Sequence, residues 1–217
     1  MRPGRTDRLP DIIPVFPLAG ALLLPRGQLP LNVFEPRYLA MVDDALASDR
    51  IIGIIQPEGE DTPSEETPPL RKVGCAGRIT AFAEAGGGRY QITLAGITRF
   101  RLVEEIAGET PYRRCRITAE PFAGDIATHG EGEVDRDSLL GAFRAYLEAN
   151  DLEADWDSVE RASNESLVNA IAMMSPYGPA EKQALLEAPD LKTRAETLVA
   201  LAEVSLAKAA SPNRTLQ

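Results

Sequence analysis

The sequence predicts an α+β protein: a mostly antiparallel β-domain followed by a small C-terminal helical bundle. Three observations predict it. Residues 1–122 are punctuated by proline and glycine between short apolar runs. Two alternating arms flank Gly86-Gly87-Gly88 in the pattern of a long hairpin. From Ser138 to about residue 210 the apolar residues recur at helical spacing. The expected division is a β-subdomain over 1–122, an acidic linker over 123–137 and a helical subdomain over 138–210.

Taken in order, "IIPVFPL" (12–18) and "ALLLP" (21–25) read as two short strands around Ala19-Gly20. Their prolines place them at edges, ends or bulges. "LPLNV" is strand-like and turns at once into a helix over 35–49, with Pro36 at its first position and Tyr38, Met41, Val42, Ala45 and Leu46 on one face. "RIIGIIQP" (50–57) is a buried-strand run. The proline-rich acidic stretch 57–69 reads as a mobile, solvated excursion. The hairpin spans 73–106, and "YRRCRITAEPF" (112–122) supplies a further strand. In the helical part, 138–150 places Leu139, Leu140, Phe143, Tyr146 and Leu147 on one face. Residues 165–176 do the same for Leu167, Val168, Ile171 and Met174, stopping at Pro176. A short helix follows over 179–189, then a long one over 190–209 with Asp190 as its cap.

The net charge of −10 and pI near 4.7 argue against nucleic-acid binding and attachment to anionic membranes. No run of about eighteen apolar residues offers a membrane span, and the N-terminus lacks the apolar core of a signal peptide. Cys75 and Cys115 are too few for a disulfide framework or a zinc site. They read as strand thiols in a reducing compartment, so a soluble, cytoplasmic protein is expected.

Catalytic machinery is not recognisable. There is no phosphate loop, no H-E-x-x-H and no G-x-S-x-G elbow. The lone histidine, His129, sits in an acidic, glycine-bearing stretch and reads as exposed and uninvolved. A Ser-Lys dyad needs a buried lysine beside a serine. Of the few lysines, Lys182 and Lys192 read as solvent-facing on amphipathic segments. No catalytic, cofactor or metal residues are therefore expected.

Three motifs in order carry a resemblance. "IPVFPLAGALLLPRGQLPLNVFEPRYLAMVDDAL", "GRYQITLAGITRFRL" and the tail with "EKQALLEAPDLKTR" together resemble the Lon protease N-terminal, substrate-binding domain, above all its stand-alone bacterial form. The resemblance runs from Leu9 to Ala207. It implies a PUA-like β pseudo-barrel followed by a helical bundle, and a non-catalytic module recognising unfolded or tagged polypeptides, as an adaptor or chaperone-like protein. Full Lon continues into an AAA+ ATPase and a Ser-Lys protease domain, and these 217 residues carry neither motif. The alternatives are RNA binding, since PUA-like barrels occur in RNA-modifying proteins, and a small-molecule site in the barrel cleft.

Six residues are candidates for peptide contact: Phe34, Arg37, Tyr38, Arg89, Arg99 and Arg101. Phe34 and Tyr38 could floor an apolar groove while Arg37 reads a carboxylate or carbonyl. The competing reading makes 35–38 a structural corner: Pro36 starts the helix, Glu35 complements its positive end and Tyr38 packs inward. Arg99 and Arg101 share one strand face and could bind an anion. Otherwise they lie on a solvated face opposite Glu104 or Glu120.

Overall fold

A computed structural model of the chain describes residues 9–59, 68–127 and 130–210. It contains two compact units, Met1–Ala127 and Thr128–Gln217.

The first unit holds strands β1 (Ile12–Pro17), β2 (Gln28–Val33), β3 (Ile51–Pro57), β4 (Leu70–Ala85), β5 (Arg89–Ile106) and β6 (Arg114–Thr118), with helix α1 (Pro36–Leu46) between β2 and β3. The strand order is β2-β5-β4-β3-β1-β6, and β6 also pairs with β5. Five strands therefore close on themselves, while β2 hangs from β5 by one edge. Among the described strands only β1 and β3 run parallel (Val15 opposite Gly53); the other pairs are antiparallel. Inside lie Ile13, Val15, Ile51, Ile55, Leu70, Ala76, Phe100, Cys115 and Ile117. Both cysteines are buried, and neither forms a disulfide.

The hairpin forms as expected, because Gly87 and Gly88 take the positive φ of 82° and 70° that its tight turn needs. Helix α1 starts at Pro36 and buries Tyr38, Met41, Val42 and Ala45. Burying side chains such as Met41 and Val42 contributes about 1.5–3 kcal/mol each. The phenol of Tyr112 donates to Asp44 Oδ2 at 2.5 Å and ties the far end of the helix to the β5–β6 connection.

Two expected strands differ. The run 21–25 is a buried loop and not a strand. Leu22, Leu23 and Leu24 are all inside, and the chain turns where Gly27 N–H donates to the Leu24 carbonyl. Apolarity there reports burial and not extension. The loop lies so close to β5 that a Cβ on Gly96 would stand 2.0 Å from the Leu24 carbonyl oxygen. The strand expected over 112–122 is confined to Arg114–Thr118. From Glu120 to Ile126 the chain winds as 3-10 turns, entered at Pro121. The stretch 123–137, expected as a linker, is thus taken up at both ends: Asp125 is buried against β5, and Glu131–Glu133 begins the helical unit. His129 and most of the acidic excursion (60–67) lie outside the described residues.

The second unit comprises α2 (Arg136–Ala149), α3 (Trp156–Arg161), α4 (Asn164–Met174), α5 (Pro179–Glu187) and α6 (Leu191–Ala210). Asp135, Asp155 and Ser163 cap α2, α3 and α4 by accepting from the backbone N–H of the third residue on. Asp190 accepts from Thr193 N–H at 2.7 Å, the cap expected for α6. The Glu131 carboxylate accepts from the N–H groups of Asn164 and Glu165, adding an anion to the Ser163 cap at the positive end of α4. Helix α3 has no counterpart in the sequence reading, since six residues are too few to show a period.

Two residues in this unit run against expectation. Met174, placed on the buried stripe of α4, is 83% exposed in its last turn. Lys182, read as solvent-facing, is buried, and its ammonium donates to the carbonyls of Ala172 and Met173 at 3.0 and 2.7 Å. These are carbonyls that the end of α4 leaves without helical partners. Burial holds the Lys182 ammonium below the usual lysine pKa.

Candidate polypeptide-binding surface

The six candidate residues do not converge. Arg89 opens β5 and Arg101 lies in its second half; both are exposed, roughly 40 Å apart along an extended strand, too far for one pocket.

Arg99 is buried, and the face it shares with Arg101 is not uniformly solvated. Its guanidinium meets the Asp125 carboxylate in a fork (Nη2 to Oδ1 2.7 Å, Nε to Oδ2 2.9 Å), and its backbone N–H donates to the same carboxylate at 2.9 Å. The Phe122 ring lies 4.8 Å from the guanidinium carbon, and Arg26 reaches the Asp125 carbonyl at 2.6 Å. The expected partner Glu104 is instead joined to Arg116 at 2.8 Å, and Glu120 is exposed. Arg99 therefore latches the 3-10 turns of 120–126 onto β5, a contact across 26 residues that strand periodicity does not encode.

The corner at 34–38 separates into two roles. Tyr38 is buried and stacks on Phe16 with ring centroids 4.0 Å apart. Burial raises its phenol pKa, opposed by the positive Arg37 guanidinium. Arg37 covers the outer face of that ring at 4.6 Å and bonds Glu35 at 2.8 Å. Glu35 makes no side-chain cap to α1, so its carboxylate serves Arg37. Phe34 stands apart from all this at 65% exposed.

A feature the sequence reading missed lies beside Phe34. Strands β2, β5 and β4 run on beyond the closed strands as a three-stranded ribbon, with Leu31, Ile92 and Phe82 in one cross-strand row and Val33, Tyr90 and Glu84 in another. Phe82, 40% exposed, meets Tyr90 edge to face at 5.0 Å. Tyr90 is tied to α1 by a hydrogen bond to Asp43, which raises its phenol pKa. An open cleft of about 410 Å3 lies on this ribbon, lined by Pro30, Leu31, Asn32, Ala81, Phe82, Ala83, Gln91, Ile92 and Thr93. Every lining residue is uncharged, in a chain of which 26% is charged. Two clefts of the helical unit carry charged walls instead: Glu133, Asp135, Lys192, Glu196 and Glu203 in one, Arg144, Glu148 and Glu153 in the other. The available signal was apolar residues on both faces of the hairpin arms, Phe82 among them.

Among the described residues no group of three or more His, Cys, Asp or Glu side chains is placed to hold a metal ion. No described helix is long and apolar enough to cross a membrane.

Comparison with known proteins gives a consistent result. Residues 12–203 match the family model of the ATP-dependent protease La (LON) substrate-binding domain. Lon protease 2 of Myxococcus xanthus is 28% identical over 209 residues, covering 92% of this chain and 24% of its own. Lon protease 2 of Sorangium cellulosum is 29% identical, with 91% and 25% covered. The chain thus spans about a quarter of the length of these relatives. Two solved structures share the fold. The Lon N-terminal domain protein from Xanthomonas campestris has a TM-score of 0.61 at 23% identity, covering 87% of this chain and 97% of its own. The N-terminal domain of Mycobacterium avium complex Lon protease has a TM-score of 0.65 at 21% identity, with 88% and 98% covered.

Proposed function

From the fact that the chain belongs to the LON substrate-binding domain family, we propose that it is a non-catalytic module binding exposed apolar segments of unfolded polypeptides. An adaptor or chaperone-like role in protein quality control in the cytoplasm is the form this takes. The observation that carries it is the uncharged cleft on the β2–β5–β4 ribbon, flanked by Phe82 and near the exposed Phe34. Apolar burial drives association without regard to a partner's fold, so such a surface suits segments that folded proteins hide. Phe34 is the anchor among the sequence candidates, with Arg37 and Arg89 at its margin. Tyr38 and Arg99 support the fold.

The hairpin arginines that RNA binding would need do not form a free cluster: Arg99 pairs with Asp125, and Arg89 and Arg101 stand far apart on β5. That favours the polypeptide reading over nucleic acid.

The test is titration with reduced, amidomethylated ribonuclease, which stays unfolded, against native ribonuclease. Binding of the unfolded form alone is expected, at micromolar Kd, about −8 kcal/mol. Phe34→Ala should weaken it several-fold without lowering Tm. Equal binding of both forms, or of neither, would remove the function assigned here.

A further inference from the structure

The free side of β2 shows how such a segment would be held. The Gly96 N–H donates to the Gly27 carbonyl, which sets the parity of the β2–β5 ladder. Leu29, Leu31 and Val33 then direct their backbone groups to Leu94, Ile92 and Tyr90 on β5. Gln28, Pro30 and Asn32 turn theirs the other way, and among the described residues β2 has no second strand neighbour. All three residues are exposed. Proline falls at an outward position, the only parity at which its missing N–H costs the ladder nothing. The outer edge thus presents three carbonyls and two N–H groups.

We propose that this edge takes an added strand: an extended, uncharged segment of unfolded polypeptide, pairing with Gln28–Val33 by main-chain hydrogen bonds. The inference rests on the polypeptide-binding reading above and names its mode. Electrostatic complementarity selects the occupant. The strand "QLPLNV" is uncharged, as is every residue lining the cleft that β2 borders, so a charged segment would lose hydration there without gaining a counter-charge. An added strand also extends the ribbon, and its alternate side chains fall on the face that bears the cleft. Main-chain pairing reads no particular sequence, which suits a receptor for unfolded chains. Pro30 weakens the same edge for a second copy of this chain. Two β2 strands pairing through it would set one incomplete edge against another.

The test uses the full chain, the unfolded ribonuclease, and a blocked fluorescent decapeptide of alternating threonine and valine, made with free amides or with alternate amides N-methylated. Asn32→Pro deletes one outward N–H and leaves the β5 ladder intact. Asn32→Ala changes only the side chain. The proposal expects Asn32→Pro to bind both ligands at least tenfold more weakly than Asn32→Ala does, at unchanged Tm. It also expects the N-methylated peptide to fail against wild type, a result that needs no variant to fold. Retained binding of the N-methylated peptide, or Asn32→Pro binding unfolded ribonuclease as wild type does, overturns the edge while leaving the functional reading in place. Wild type binding neither ligand overturns both. Sedimentation showing a wild-type dimer that Asn32→Pro abolishes would assign the edge to a second copy and also overturn the proposal.

Discussion

Arg99 shows how one side chain changes meaning between sequence and structure. As an exposed strand residue it would be free to greet an anion; buried with Asp125 it is a latch. Removing one partner of a buried pair leaves the other charge desolvated, which costs about 3–5 kcal/mol. Asp125→Ala should therefore lower the unfolding free energy of the β unit by that order in urea melts, and Arg99→Met/Asp125→Ala should lose less than the two single losses together. Tyr112 makes a different kind of tie. Burial first, and the Asp44 carboxylate second, push its phenol up to about 12. A folded-state pKa above the ordinary value of about 10 means stabilisation complete below pH 10 and lost as pH climbs through 12. Burial likewise raises the Cys115 thiol to about 11, so its contribution fades over a lower window that begins near pH 9. Tyr112→Phe should flatten the decline above pH 10 in a series of chemical melts and leave the part near pH 9 unchanged. A wild-type profile level from pH 8 to 12 would refute this.

Elements were legible where a local period wrote them. Helix α1 follows from Pro36 and a stripe from Tyr38 to Ala45, and the hairpin from alternation around three glycines. The loop 21–25 was misjudged because three leucines look alike whether pleated or coiled, and the carbonyl of Leu24 lying against Gly96 is a long-range fact. The same limit hid Asp125, whose acidity suited a linker until β5 supplied its partner. The ribbon cleft was half legible: its strands were visible, but the registry that gathers Leu31, Ile92 and Phe82 was not. Lys182 belongs to this scale too, because it joins two helices. Its ammonium closes the end of α4 from α5, with no carboxylate partner among the described residues. Lys182→Met keeps the apolar stem but strands two carbonyls, at a cost of about 2 kcal/mol. The single tryptophan, Trp156, sits in α3 under the Arg144 guanidinium at 4.4 Å and reports this unit by fluorescence. A denaturant midpoint for Lys182→Met equal to wild type would show that the carbonyls find other partners.

At the scale of the molecule, charge and chain topology set the behaviour. With a net charge of −10, long-range attraction favours basic segments, and salt screens it over a Debye length of about 10 Å at 0.1 M. Apolar contact on an uncharged cleft is not screened. Binding of an uncharged decapeptide should therefore change little between 50 mM and 1 M salt, while binding of the basic ribonuclease chain falls to a residual plateau. Loss of both together would place the contact on the acidic surface instead. The closed strands have a consequence in time as well. Strand β1 lies between β3 and β6, and the second of these partnerships joins Ile12 to Arg116. On a ribosome adding about 5–20 residues per second, β1 waits roughly 5–20 s before β6 has been made. Throughout that interval an apolar strand stands with one edge unmatched. Until its last strand emerges, the nascent chain thus itself presents the kind of exposed apolar segment proposed above as the ligand.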